Sequence, residues 1–252
     1  MSQRPKRLPL RVVLVIAVFA LAAYLISGVA ATTPAGTADT SSGATAVQAP
    51  TEPADPGPDV APAPASPSTT QTLAVLETLP VKGRAPKTGY DRDDKFGTAW
   101  VDMDQNGCDT RNDVLARDLI AITSADGCRV LTGTLSDPYT GTSIAFVRGP
   151  ATSSLVQIDH VVALSNAWQT GAQQLSAEQR YEFANDPLNL LAVDGATNSS
   201  KGDGDAATWL PPSTSFRCAY VSRQITVKAE YALWVTPAEH DAMTRVLATC
   251  PG

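Results

Sequence analysis

Gln157-Ile158-Asp159-His160-Val161-Val162 is the stretch from which the rest of the chain is read. A carboxylate and an imidazole close a β-branched run, so Leu155 to Ile158 reads as a strand ending in Asp159-His160. A second apolar run, Leu188 to Val193, carries Asn189 and reads as a neighbouring strand turned by Gly195. The polar stretch Asn198-Ser199-Ser200-Lys201-Gly202-Asp203 follows, and the segment from Asn198 to Trp209 reads as a helix stopped by Pro211-Pro212. Strand, strand and helix thus offer one carboxylate oxygen, one carboxamide oxygen and room for water. That donor set suits a hard divalent cation that must also hold a phosphate. A neutral imidazole beside it suits a general base near neutral pH.

The formal net charge of −6 argues against a tight, sequence-reading DNA binder, which carries a basic footprint. It leaves room for an enzyme that grips phosphates locally. Four cysteines, Cys108, Cys128, Cys218 and Cys250, include no C-x-x-C pair, so disulfides fit better than a zinc knuckle. Sequence proximity pairs Cys108 with Cys128 and Cys218 with Cys250. That reading needs an oxidising compartment, and the N-terminus supplies the argument. Arg4, Lys6, Arg7 and Arg11 precede an apolar run from Val12 to Ala31. Residues 1–31 are therefore a signal peptide or a membrane anchor, and either one places the rest of the chain outside the cytoplasm. Residues 32–72, rich in Pro, Ala and Thr, read as a disordered linker, and 73–252 as the folded domain.

Within that domain Leu73 to Leu79 reads as a short apolar strand or helix turn. Lys82, Arg84, Lys87, Arg92 and Lys95, interleaved with Tyr90 and Phe96, can hold a nucleic-acid backbone; the alternative is a solvated face shared with Asp91, Asp93 and Asp94. Asp109 caps a helix running to Leu119, whose Arg111 can hold an anion or pair with a carboxylate. Gly127 to Phe146 reads as a β-hairpin turning at Asp137-Pro138-Tyr139-Thr140-Gly141. Val161 to Trp168 is a helix or loop, and Ser176-Ala177-Glu178-Gln179 opens a further helix with a capping box. Phe216 to Trp234 forms a long helix, and Thr236-Pro237-Ala238-Glu239 starts the closing one.

Asp159-His160-Val161-Val162-Ala163-Leu164, Phe183-Ala184-Asn185-Asp186-Pro187-Leu188-Asn189-Leu190 and Asn198-Ser199-Ser200-Lys201-Gly202-Asp203 together resemble the HNH (His-Me finger, ββα-metal) endonucleases. Within them the chain is similar to the branch related to the C-terminal domain of GmrSD restriction endonucleases, in its secreted actinobacterial form. Phe96 to Trp100 and Cys108-Asp109-Thr110-Arg111-Asn112-Asp113-Val114-Leu115 extend the likeness, which covers roughly Val81 to Cys250. The resemblance implies an α+β fold: a ββα-metal finger embedded in a mostly helical, disulfide-stapled domain with a small β-hairpin. It implies Asp159 and Asn198 as metal ligands, His160 as the base that deprotonates water, and Asn189 as the residue that orients His160. Lys201 is either a phosphate contact or a solvated lysine at the helix start. Asn198, in place of a third histidine, favours Mg²⁺ or Mn²⁺ over zinc.

The expected activity is that of an extracytoplasmic endonuclease acting on DNA with little sequence specificity, with RNA as an open alternative. The expected protein is a monomer, and it touches the membrane through its N-terminal segment if that stays uncleaved. The alternative is a catalytically inactive cell-surface binding module on the same scaffold. His240, the only other histidine, sits between Glu239 and Asp241 in the last helix without ligand spacing and reads as a surface residue.

Overall fold

A computed structural model describes residues 68–251. The N-terminal apolar run and the linker as far as residue 67 lie outside the described residues.

The first helix, α1 (Thr69–Leu76), begins inside the stretch read as linker. Ser68 caps it and Gln71 closes a capping box, so a Ser/Thr-rich stretch becomes a helix start. Leu76 is fully buried against the C-terminal helices, which contributes about 1.5–3 kcal/mol relative to exposure. The short α2 (Arg92–Phe96) follows, and α3 (Thr110–Asp118) is capped by Asp109 as expected.

The hairpin region holds one strand more than the sequence reading gave. β1 (Leu119–Ala125), β2 (Arg129–Ser136) and β3 (Ser143–Val147) form an antiparallel sheet in that order. Ile120, Ile122 and Thr123 favour a strand, but β1 is mostly exposed and its register shifts between Ile120 and Ser124. It therefore lacks the buried alternation by which a strand is recognised.

β4 (Val156–His160) leads into α4 (Leu164–Gln169) and α5 (Ala177–Asn185), the latter with the expected Ser176/Gln179 capping box. β5 (Leu190–Asp194) then returns antiparallel to β4, placing Asp159 opposite Leu191 and His160 opposite Leu190. This two-stranded ribbon is buried on both faces. Ile158, Leu190 and Ala192 pack with Val114, Leu115 and Phe146, whereas Leu191 and Val193 pack with Tyr139, Tyr220 and Ile225. Side chains of α3 satisfy the ribbon's free backbone groups: Arg111 donates to the Val156 carbonyl, Arg117 to that of Leu190, and Asp118 accepts from Ala192 N–H.

α6 (Gly195–Lys201) is shorter and earlier than the expected helix from Asn198 to Trp209. Asp194 caps it, and Gly202, at φ +56°, ends it in the left-handed region where glycine carries no Cβ penalty. β4, β5 and α6 make the expected ββα unit. α7 (Arg217–Glu230) stops short of Trp234, and α8 (Pro237–Leu247) carries its Thr236/Glu239 box. Lys228 and Glu239, both wholly buried, pair at 2.9 Å between these two helices. The cysteines bond as expected, Cys108 with Cys128 and Cys218 with Cys250. The result is a mixed α+β domain with small antiparallel sheets, stapled by disulfides. Among the described residues no helix is long and apolar enough to cross a membrane.

Candidate active site

Successive residues of a strand project to opposite faces, so Asp159 and His160 leave β4 in different directions. Asp159 turns under the strand. Its carboxylate accepts from the Tyr139 hydroxyl at 2.5 Å and from the Lys201 ammonium at 2.9 Å. Lys201, the last residue of α6, also donates to the His160 carbonyl at 2.8 Å, and its side chain is completely buried. Burial raises the Asp159 carboxyl above its ordinary range, although Lys201 and Tyr139 both act against the rise.

His160 faces the other way, with the Trp100 ring stacked on it at 6.3 Å between centroids. Its Nε2 lies 2.8 Å from the Ala184 carbonyl. A carbonyl only accepts, so Nε2 carries the proton and Nδ1 the lone pair. Burial pushes the imidazole pKa down to about 3; the Ala184 bond works against this, and the charges of Arg92 and Lys201 reinforce it. The ring is therefore neutral across the physiological range. Asn189, fully buried, holds the chain just after His160: its Oδ1 accepts from Val162 N–H at 2.8 Å and its Nδ2 donates to the Val162 carbonyl.

Asp159 and His160 border a cleft of about 460 Å³ whose walls also include Asn198, Lys87, Arg92 and Tyr90. Asn198 donates from Nδ2 to Gln157 at 2.9 Å, and its Oδ1 accepts no hydrogen bond among the described residues. Asp203, beside it, accepts from Ser165 and pairs with Lys87 at 3.2 Å.

Two residues expected at substrate phosphates sit elsewhere. The Lys201 ammonium is already bonded to protein oxygens beneath the cleft, because an unpaired Asp159 at this depth would be costly. Arg111 is bonded to the Val156 carbonyl and takes no part in the cleft wall. Of the basic cluster, Arg84 pairs with Asp205, Lys82 lies over Trp234 and Phe96 is buried, so Lys87 and Arg92 are its cations at the cleft. The sequence reading missed Tyr139 and Trp100 as neighbours of the site. Tyr139 read as turn chemistry, and no local pattern ties it to a carboxylate twenty residues away.

A divalent cation fits this donor set. A carboxylate offers about four lone-pair sites, of which Tyr139 and Lys201 use two on Asp159. With the Asn198 oxygen, that gives two oxygen donors on one wall, the sparse protein set that suits Mg²⁺ or Mn²⁺ among waters and phosphate. Among the described residues no three His, Cys, Asp or Glu side chains cluster as a ready-made ligand set.

The family described as "GmrSD restriction endonucleases, C-terminal domain" matches residues 109–246, more than half of the chain. That span contains Asp159, His160, Asn189, Asn198, Lys201 and Tyr139, but not Trp100, Lys87 or Arg92. A protein of Arthroderma benhamiae called "Uncharacterized secreted protein" is 39% identical over 186 residues, covering 73% of this chain and 87% of that protein. No solved structure matches the chain. The chain belongs to the family of GmrSD restriction endonuclease C-terminal domains.

Proposed function

We propose that this chain is an extracytoplasmic, metal-dependent endonuclease of the HNH type, hydrolysing phosphodiester bonds of DNA with little sequence specificity. The observation that carries the reading is the fixed tautomer of His160: a neutral imidazole, anchored through Nε2 on Ala184, with a lone pair on Nδ1 at a cleft that also holds two oxygen donors and two cations. The family supports nuclease chemistry. The secreted relative and the two disulfides support a location outside the cytoplasm.

In this reading His160 Nδ1 takes a proton from the attacking water. Asn189 keeps the turn after β4 in place, so the ring cannot swing away. Lys87 and Arg92 hold phosphate oxygens flanking the scissile bond, contacts that position a backbone without reading bases. Asp159 and Asn198 would hold Mg²⁺ or Mn²⁺, which supplies stabilisation of the negative charge that grows on the phosphate and leaving oxygen. Lys201 and Tyr139 fix the Asp159 carboxylate from below.

A second reading, a non-catalytic binding module, has one observation in its favour: Lys201 already balances the charge of Asp159 without a metal. Incubating the full chain with supercoiled plasmid, single-stranded DNA and RNA, with Mg²⁺, Mn²⁺ or chelator, separates the two. Cation-dependent nicking abolished by chelator supports the nuclease. Retention of nucleic acid in a shift assay with no cleavage under any cation supports the binding module.

A further inference from the structure

Residues 97–109, between α2 and α3, form no helix or strand, yet they hold Trp100 against the candidate base. The indole lies nearly parallel to the His160 imidazole, at 15° between planes and 6.3 Å between ring centroids, within the range at which aromatic pairs attract. We propose that Trp100 is a positioning residue: its ring sets the plane of the His160 imidazole, and so the direction in which the Nδ1 lone pair points. The proposal rests on the reading of His160 as the base of a nuclease. Trp100 lies outside the span that the family matches, so the family does not carry this role.

The other supports of His160 leave that direction open. Asn189 holds the backbone at Val162. The Ala184 carbonyl holds Nε2 at 2.8 Å, but one hydrogen bond fixes a corner of the ring and not its plane. A ring that tilts about this corner swings Nδ1, because Nδ1 lies off the line of the bond. Proton abstraction needs the lone pair within hydrogen-bond reach of the attacking water and aimed at it. A flat face laid against the imidazole supplies the missing constraint.

The backbone beneath Trp100 carries the second observation. Trp100 takes φ +65°, a left-handed conformation that is uncommon for a bulky residue and costs free energy. It persists where the surroundings over-determine it, and they do so on both sides. Phe96, just before the loop, is buried against Trp168 and Phe183. Just after Trp100, the Val101 carbonyl accepts from both the N–H and the hydroxyl of Thr110. Cys108–Cys128 fastens the far end of the loop to the start of β2. The half-buried indole packs on the cluster of Val114, Leu115, Phe146 and Ile158. An aliphatic side chain would serve that packing equally well; the parallel approach to His160 needs an aromatic one.

Cleavage kinetics and the imidazole proton signals of His160 test this on the full chain, in the parent, Trp100→Leu and Trp100→Phe. Leucine keeps apolar contact with the core but offers no flat face, and phenylalanine restores one. With plasmid and Mn²⁺, Trp100→Leu should lose up to about 10²-fold in kcat, the scale of a reacting group misplaced by about 1 Å, at a KM near the parent's. Trp100→Phe should recover most of the loss. The His160 ring protons, told from those of His240 by His240→Gln, should be displaced by the indole ring current in the parent. That displacement should vanish in Trp100→Leu and largely survive in Trp100→Phe. If Trp100→Leu does not fold, Trp100→Gly takes its place, because glycine accepts φ +65° without strain. Unchanged kcat in the ring-less variant, a loss that falls on KM alone as for a substrate contact, or His160 signals that do not move would each overturn the proposal. A parent that cleaves nothing counts against the nuclease reading, and the His160 signals then decide by themselves whether Trp100 sets the ring.

Discussion

Lys201→Met removes the one full positive charge that touches Asp159 among the described residues. The ammonium bonds Asp159 at 2.9 Å and the His160 carbonyl at 2.8 Å, with the two side chains 0% and 6% exposed. Breaking a buried ion pair from one side costs about 3–5 kcal/mol. At about 2–4 °C per kcal/mol for a domain of this size, the melting midpoint should fall by about 6–20 °C. The double variant Lys201→Met/Asp159→Asn should recover much of that loss. Burial raises the Asp159 carboxyl in spite of its partners, so desolvation outweighs the pairing and neutralising both groups should be far milder than removing one. Thermal denaturation of the parent, both single variants and the double variant reads the coupling directly. If Lys201→Met stays within about 1 kcal/mol of the parent, as a solvent-exposed pair would, the description of a buried, charged site is wrong.

Gly195→Ala should destabilise by about 1–3 kcal/mol through overpacking, because its Cβ would lie 2.0 Å from the Ser154 carbonyl oxygen at the start of α6; a midpoint equal to the parent's would contradict this contact. Burial alone would raise the Asp205 carboxyl, but Arg84 at 2.6 Å and Thr208 hold it below the ordinary range. Its contribution to stability is therefore complete above the unfolded value near 3.9 and is lost as pH falls through the lower folded value. Asp205→Asn should flatten the acid limb of stability against pH, and parallel limbs for parent and variant would refute the reasoning. Breaking Cys218–Cys250, which closes 32 residues, should cost about 4 kcal/mol by loop entropy. A melting curve insensitive to Cys218→Ser/Cys250→Ser would show that the packing of α7 on α8 suffices without the bond.

The elements of the candidate site are legible because their signals are local. A β-branched run ending in Asp159-His160, a second run holding Asn189, and the capping boxes at Ser176 and Thr236 each declare an element within a few residues. Both disulfides followed from proximity. What escaped the sequence depends on distant contacts. β1 is exposed and irregular, so it carries no alternation. Thr69 to Thr72 looks like more linker until the Ser68–Gln71 box is recognised. α6 starts earlier than the sequence suggests because Gly195, which reads as the turn after the strand, is the first residue of the helix that Asp194 caps. Lys201 reads as a phosphate contact or a solvated lysine at a helix start, and only the fold shows that α6 carries it beneath β4 to Asp159. Tyr139 and Trp100 reach the site from a turn and a loop, where no spacing rule applies.

The central claim is that His160 is the base and Asp159 with Asn198 the metal-holding pair, and one experiment addresses it: DNA cleavage and Mn²⁺ binding measured side by side on the parent, His160→Ala, Asp159→Ala, Asn198→Ala and Asn189→Ala, each checked for folding. The account predicts that His160→Ala keeps near-parent Mn²⁺ affinity and loses about 10²–10⁴-fold in turnover. Asp159→Ala and Asn198→Ala should lose affinity, and Asn189→Ala should fall between in activity. Cleavage by His160→Ala at the parent rate, or loss of Mn²⁺ as complete as in Asp159→Ala, would contradict it.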